Sequence, residues 1–153
     1  KYNAISGDTI SYSSTEPLFI VGNGTGSSSR SNALTLSGNG NLTIAGTLTE
    51  GSDIRLKTNI TPIGNTLASL EFINPIKYEF KNTELHPAGR QLGFSAQEIK
   101  AQFPELARED ESGNLSVAYG KMSAVLLQAI KEQQEMIKQL QKEVKELKRK
   151  TEE

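Results

Sequence analysis

The sequence contains no cysteine, no tryptophan and a single histidine, His86. The absence of cysteine excludes a disulfide framework, a zinc–thiolate site and thiol catalysis, and one histidine cannot form a pair of metal ligands. No apolar run approaches the ~20 residues that a transmembrane helix requires. We therefore expect no cofactor, no metal centre and no membrane partner.

The chain also lacks a large net charge and a large apolar content. The net charge is −1, which argues against a nucleic-acid partner. Hydrophobic residues make up 35% of the 153 positions, which is little for a compact monomer. Oligomerisation is one way to add core. Charge is unevenly placed, because residues 1–49 carry four charged side chains whereas residues 131–153 alternate Lys and Glu densely.

Residues 1–51 are rich in Gly, Ser, Thr and Asn and contain brief β-type runs. These runs are TISYS, PLFIVG, ALTLSG and NLTIAGTL. Their apolar residues alternate with polar ones, so each strand has one apolar face. So few side chains cannot enclose a core alone. We predict the end of a β-structured fibre in which several chains wrap around a common axis; the alternative is a flexible polar linker.

Residues 52–120 predict a small α+β domain. The expected elements are a helix at 65–73, strands at 76–81 and 91–96, a helix running from Ser95 to Pro104, and an acidic turn followed by a strand within 107–119. Asn65 is a plausible N-cap of the first helix. Ser95 and Glu98 have the spacing of a capping box at the second.

Residues 121–153 predict one long helix with heptad spacing, which is typical of a coiled coil. The a and d positions are Ser123, Leu126, Ile130, Gln133, Ile137, Leu140, Val144, Leu147 and Thr151. The alternative is a lone amphipathic helix that packs on its own domain. β-Branched a positions with Leu at d nominally favour a dimer, and Gln133 forms a polar layer, so the heptads alone do not decide between dimer and trimer.

Two motifs that superficially indicate a ligand site are weak. The acidic stretch REDESGNLS lacks the twelve-residue spacing and terminal Glu of a calcium loop. The stretch GNGTG at 22–26 resembles a dinucleotide fingerprint, but no helix pattern follows it. We interpret the first as a turn between strands and the second as part of a loop.

The remaining candidate is the stretch GSDIRLKTNI at the border between the two compositions, at residues 51–60. In one interpretation Ser52 or Asp53 caps a short helix, and Arg55 and Lys57 are solvated. In the other, Ser52 and Lys57 form a Ser–Lys dyad. A serine hydroxyl needs a base to take its proton, and lysine serves only if burial or nearby positive charge lowers its pKa. A turn could fold the amine back across the five-residue separation.

The stretch SDIRLKTNI resembles the opening motif of the C-terminal intramolecular chaperone domains of phage tail spikes and tail fibres, the S74 peptidase family. The resemblance continues through LEFINPIKYEF, RQLGFSAQEIKAQFPELARED and LSVAYGKMSAVLLQAIKEQQ, and covers about residues 52–140. It implies an α+β fold with a β-rich fibre end at 1–51, a chaperone domain at 52–120 and a coiled-coil helix at 121–153. It also implies a homotrimer.

The resemblance further implies that the domain helps its own preceding fibre to trimerise and then releases itself in a single autoproteolytic turnover. By position, Ser52 would be the nucleophile, Lys57 the general base and Asp53 a supporting residue. The bond cut would be Gly51–Ser52 or Ser52–Asp53. The first is preferred, because Gly51 leaves its carbonyl unshielded for attack by the neighbouring hydroxyl.

Two other functions stay open from the sequence. One is a permanent trimerisation and attachment tip of a fibre or surface adhesin, which never cuts. The other is a receptor-binding module that uses the loop GNGTGSSSR, against which the lack of Trp argues. The expected location is the precursor of a virion tail fibre or spike, assembled in the bacterial host cytoplasm; a prophage-encoded or bacterial surface protein is the alternative.

Overall fold

The fold consists of seven short β-strands, three α-helices and two 3-10 turns within residues 16–151, the part of the chain that the computed structural model describes. The described residues divide into two compact units. Those up to Lys57, together with Lys77–Gln91, form one, and Thr58–Ile76 with those from Leu92 onward form the other. The domain boundaries expected from the sequence stay a prediction. The described residues contain no helix that is long and apolar enough to cross a membrane.

The first unit contains an antiparallel sheet in the order β1-β2-β3, formed by β1 (Pro17–Gly22), β2 (Asn32–Ser37) and β3 (Leu42–Ile44). These strands confirm three of the predicted runs, and the fourth, TISYS, lies outside the described residues. The turn between β2 and β3 uses Gly40 at φ +80°, a left-handed conformation that glycine adopts without steric cost.

The register of this sheet places apolar side chains side by side. Two rows cross all three strands, Phe19–Leu36–Leu42 and Val21–Leu34–Ile44. Cross-strand neighbours of this kind stabilise a sheet through side-chain contact. Yet Phe19 is 56% exposed and Leu42 is 57% exposed. The sheet of a single chain therefore leaves apolar surface uncovered.

The remaining helices and strands follow a 3-10 turn at Ile54–Leu56. In chain order they are α1 (Thr66–Leu70), β4 (Pro75–Tyr78), β5 (Gln91–Phe94), α2 (Ala96–Gln102), a 3-10 turn at Pro104–Leu106, β6 (Ala107–Glu109), β7 (Leu115–Val117) and α3 (Tyr119–Thr151). Strands β4 and β5 pair with each other, as do β6 and β7. The α+β class and the long C-terminal helix are confirmed.

Helix α1 is shorter than predicted and is capped differently. It ends at Leu70 rather than 73, and Asn65 stands at its N-cap with φ 56° and no side-chain hydrogen bond to the helix. The cap comes instead from Glu132 on α3, whose carboxylate accepts hydrogen bonds from the amides of Thr66 and Leu67. The first turn of α1 is thus satisfied by a distant residue.

Helix α2 begins as predicted but without a full capping box. The Ser95 hydroxyl accepts a hydrogen bond from the Glu98 amide. The Glu98 carboxylate, however, accepts from the backbone and side-chain amides of Asn74 instead of returning to Ser95. Pro104 ends the helix and begins the following 3-10 turn. Glu98 therefore ties α2 to the chain ahead of β4.

The core of the second unit lies where α2 and the 3-10 turn after it meet the start of α3. Its buried residues are Ile73, Ile99, Leu106, Met122 and Val125, with Leu70, Phe94, Phe103 and Val117 packed around them. Ile99 is fully buried. This core is small, in agreement with the low apolar content of the sequence.

Helix α3 has two apolar faces. Met122, Val125 and Ala129 are buried against the helix's own unit. The heptad row lies on another face, where its apolar members are 47–62% exposed: Leu126, Ile130, Ile137, Leu140, Val144 and Leu147. A row of this spacing is the seam that coiled coils bury between helices. In the single chain about half of the surface of these side chains stays exposed.

Candidate functional site: a serine–lysine contact

A single 3-10 turn brings Ser52 and Lys57 together. Asp53 caps this turn, because its Oδ1 accepts a hydrogen bond of 2.9 Å from the Arg55 amide. The Lys57 amide closes the turn on the Ile54 carbonyl at 3.1 Å. The chain reverses enough for Lys57 Nζ to donate to Ser52 Oγ at 2.8 Å. This distance permits direct proton transfer between the two groups.

The Asp53 carboxylate is held by Arg55 rather than by Lys57. Arg55 Nε lies 3.0 Å from both carboxylate oxygens, and Nη2 lies 2.5 Å from Oδ2. The Arg55 side chain first, and then its amide, hold the pKa of Asp53 below its usual value, and Asp53 in turn raises the pKa of Arg55. Asp53 therefore supports the Ser52–Lys57 contact by shaping the turn.

The contact lies in solvent in the single chain. Ser52 and Lys57 are both exposed, and so are Ile54 at 62% and Leu56 at 85%, whereas Asp53 is partly buried. A general base must accept a proton, and burial is what favours the neutral, proton-accepting form of a lysine amine. The 2.8 Å contact between the two side chains is present, and in the single chain both of them stay exposed.

The carbonyl of Gly51, which directly precedes Ser52, is sterically unobstructed. A Cβ atom added at this position would meet nothing within 4 Å. Gly51 is also exposed. The Gly51 carbonyl, the Ser52 hydroxyl and the Lys57 amine thus follow one another along an unobstructed stretch of chain. This stretch places a carbonyl, a hydroxyl and an amine together, the functional groups on which acyl transfer can be built.

The other candidates from the sequence have structural roles. His86 stacks on Phe80 with ring centroids 4.4 Å apart, and Phe80 meets Tyr78 edge-on. The Asp110 carboxylate accepts hydrogen bonds within its own turn, from the amides of Ser112 and Asn114. Among residues 16–151 no group of three or more metal-ligating side chains could hold an ion. The segment 51–57 therefore remains the candidate site.

Glu132 is the residue that sequence reasoning missed. Its carboxylate accepts from the Thr66 amide at 3.2 Å, the Leu67 amide at 3.0 Å and the Gln128 side chain at 3.0 Å. The Leu67 amide, followed by Gln128, lowers the pKa of Glu132 to about 2. No local pattern marks this role, because Thr66 is 66 residues away in the sequence.

Comparison with known proteins finds one family whose model matches part of this chain. Residues 52–108 match the model of the family Peptidase_S74, described as Chaperone of endosialidase. This segment starts at Ser52 and contains the whole Ser52–Lys57 contact. The resemblance read from the motifs is confirmed, because residues 52–108 match this family's model.

Two relatives match part of this chain and are much longer proteins. They are the long tail fiber proteins Gp37 of Enterobacteria phage K3 and of Enterobacteria phage T2. Each is 35% identical to this chain over 96 residues, which is 58% of this chain. The match covers 8% of the K3 protein and 7% of the T2 protein. The chain thus spans less than a tenth of the length of either relative.

Proposed function

We propose that this chain is the end of a phage tail fibre with an intramolecular chaperone that trimerises, folds the fibre ahead of it and releases itself by autoproteolysis at Ser52. The observation that carries the proposal is the 2.8 Å hydrogen bond between Lys57 Nζ and Ser52 Oγ. It lies at the first residue of the chaperone-family match, a short loop after β3. The product is a component of the virion tail.

The proposed reaction is an N-to-O acyl shift followed by hydrolysis. Lys57 Nζ takes the Ser52 hydroxyl proton as Oγ attacks the Gly51 carbonyl carbon. The proton passes to the Ser52 amide nitrogen as the C–N bond breaks, which leaves an ester between Gly51 and Ser52 Oγ. Water then cleaves the ester and gives a Gly51 carboxylate and a free Ser52 amine and hydroxyl. Cleavage at Ser52–Asp53 is the alternative, and fragment masses distinguish the two.

Activation follows assembly in this proposal. The Lys57 amine is solvated in the single chain, and lysine becomes a base when burial lowers its pKa. Neighbouring copies that cover Ile54 and Leu56 supply that burial. Cleavage then reports that the chains have assembled, and a monomer that has not found its partners keeps its chaperone.

The chaperone role rests on two uncovered apolar surfaces. The heptad row of α3 is about half exposed along its length, and the sheet β1-β2-β3 exposes Phe19 and Leu42. Burying the row between parallel α3 helices of three copies holds their sheets close together, which raises their effective concentration. Interchain β contacts form slowly because they are non-local, so this proximity favours correct pairing over aggregation. The partners are the chain's own copies and its own fibre.

A permanent, non-cleaving tip is the second candidate. It is favoured by the exposed position of the Lys57 amine, which nothing buries in the single chain. Such a tip would use the same row on α3 for assembly. It differs in a single measurable property, the integrity of the chain.

A denaturing gel and mass spectrometry of residues 1–153 test the proposal. Wild type should yield a 51-residue fragment and its remainder after cleavage at Gly51–Ser52. Ser52→Ala should stay whole, and Lys57→Ala should cleave at least about a hundredfold more slowly, because general-base catalysis contributes that much. Lys81→Ala, which removes another exposed lysine, is the matched control. If wild type forms trimers and stays whole for days, the permanent tip is correct.

A further inference from the structure

A shallow apolar groove of about 690 Å³ lies between α1 and α3. Its apolar lining comes from Leu67 and Leu70 on α1 and from Leu126, Ala129, Ile130 and Met136 on α3. Both helices belong to the second compact unit. Glu132 fixes the wall formed by α1, because its carboxylate binds the first two amides of that helix. The groove is therefore a defined feature of one chain.

The groove is continuous with the heptad row of α3. Leu126 and Ile130 line the groove and are also d and a positions of that row, and they are 48% and 61% exposed. A helix that packs along the row would therefore lie beside α1 as well. Because the row has the spacing of a seam between identical helices, the occupant that fits this groove is a second copy of the chain.

Leu127 is the side chain that fits the groove. It is 60% exposed, although it belongs neither to the heptad row nor to the face that packs on its own domain. It occupies an e position, and in a parallel coiled coil the e position of one helix flanks the g position of the next. Ala129 is a g position, and its small side chain leaves room on the groove wall.

We propose that Leu127 of one copy packs into the groove between α1 and α3 of the neighbouring copy. This inference rests on the parallel assembly contained in the proposed function and adds the surface through which each copy grips the next. The contact places part of the interface on α1, outside the coiled coil itself. Only residues 58–65 separate α1 from Lys57 in the sequence. The contact on α1 therefore holds the stretch of chain that follows Ser52 and Lys57.

Cysteine cross-linking tests the contact directly, since the chain has no native cysteine. All variants carry Ser52→Ala, so that every chain stays whole whether or not the wild type cuts. Chains with Leu127→Cys are co-expressed with chains carrying Ala68→Cys, a residue of the groove lining, and are oxidised. A disulfide forms only if the two Cβ atoms come within about 4.5 Å. The expected result is a shift from one-chain to two-chain mass on a non-reducing gel.

Two controls make the result specific. Each single-cysteine chain by itself should stay at one-chain mass, and so should the pair of Lys131→Cys with Ala68→Cys, because Lys131 lies one turn further along α3 at a b position. Light scattering before oxidation establishes the oligomer mass. A trimer without the Leu127–Ala68 product overturns the inference, and so does a monomer. A trimer with that product whose wild type never cuts supports the inference while the proposed autoproteolysis fails.

Discussion

Replacing Leu140 by Ala should weaken assembly while leaving the fold of each chain intact. Leu140 is a d position of α3 and is 59% exposed in the single chain. The substitution removes three carbons, each contributing about 0.8 kcal/mol when buried. Scaled by the exposed share, that is about 1.4 kcal/mol per chain and about 4 kcal/mol for three chains. The association constant of a trimer should therefore fall about a thousandfold.

Sedimentation over a range of protein concentrations measures this shift, in a Ser52→Ala background that keeps the chain whole. Lys142→Ala is the matched control, since it changes an exposed f position two residues further along the same helix. The control should dissociate like the parent, and the circular dichroism of all three at high concentration should agree. Equal dissociation of Leu140→Ala and Lys142→Ala would refute the assignment of the heptad row as the interface.

Two further predictions concern carboxylates. Asp53→Ala should slow cleavage several-fold in the same gel assay, because it removes the cap of the turn. Asp53→Asn keeps an acceptor oxygen and should slow cleavage less. Equal cleavage rates for wild type and both variants would contradict the role given to the turn. The pKa of Glu132 is about 2 against an ordinary 4.5, so its stabilisation is complete above pH 4.5 and is lost as the pH falls toward 2. Glu132→Gln should flatten the fall in Tm over that range, whereas the control Glu135→Gln should leave it steep. If the curves of Tm against pH are parallel for both variants, Glu132 does not cause the fall.

Much of the fold could be predicted because the deciding interactions are local. Alternating Leu34 and Leu36 indicated a strand, and they lie in β2. Ser95 indicated a helix start, and it caps α2 with its hydroxyl. A strand face and a helix cap depend on neighbours within a few positions, and these neighbours are visible in the sequence.

The limits of helix α1 could not be predicted for the opposite reason. Asn65 is a residue type that commonly caps helices. Its backbone is left-handed, however, and its side chain makes no hydrogen bond to the helix. The Glu132 carboxylate takes that place from a different helix. A sequence window around Asn65 contains no information about a residue that only the packing of α1 on α3 brings near.

The motif at 51–57, the strands ahead of it and the heptad row behind it could all be deduced from the amino-acid sequence, because each is a pattern of residues close together in the chain. The partners of the carboxylates were decided only by the tertiary structure. There Asp53 binds Arg55, and Glu132 binds the first amides of α1. Folding also turns Met122 toward the core and leaves Leu140 in solvent. Burial depends on what packs against a side chain, and that information is spread over the whole chain.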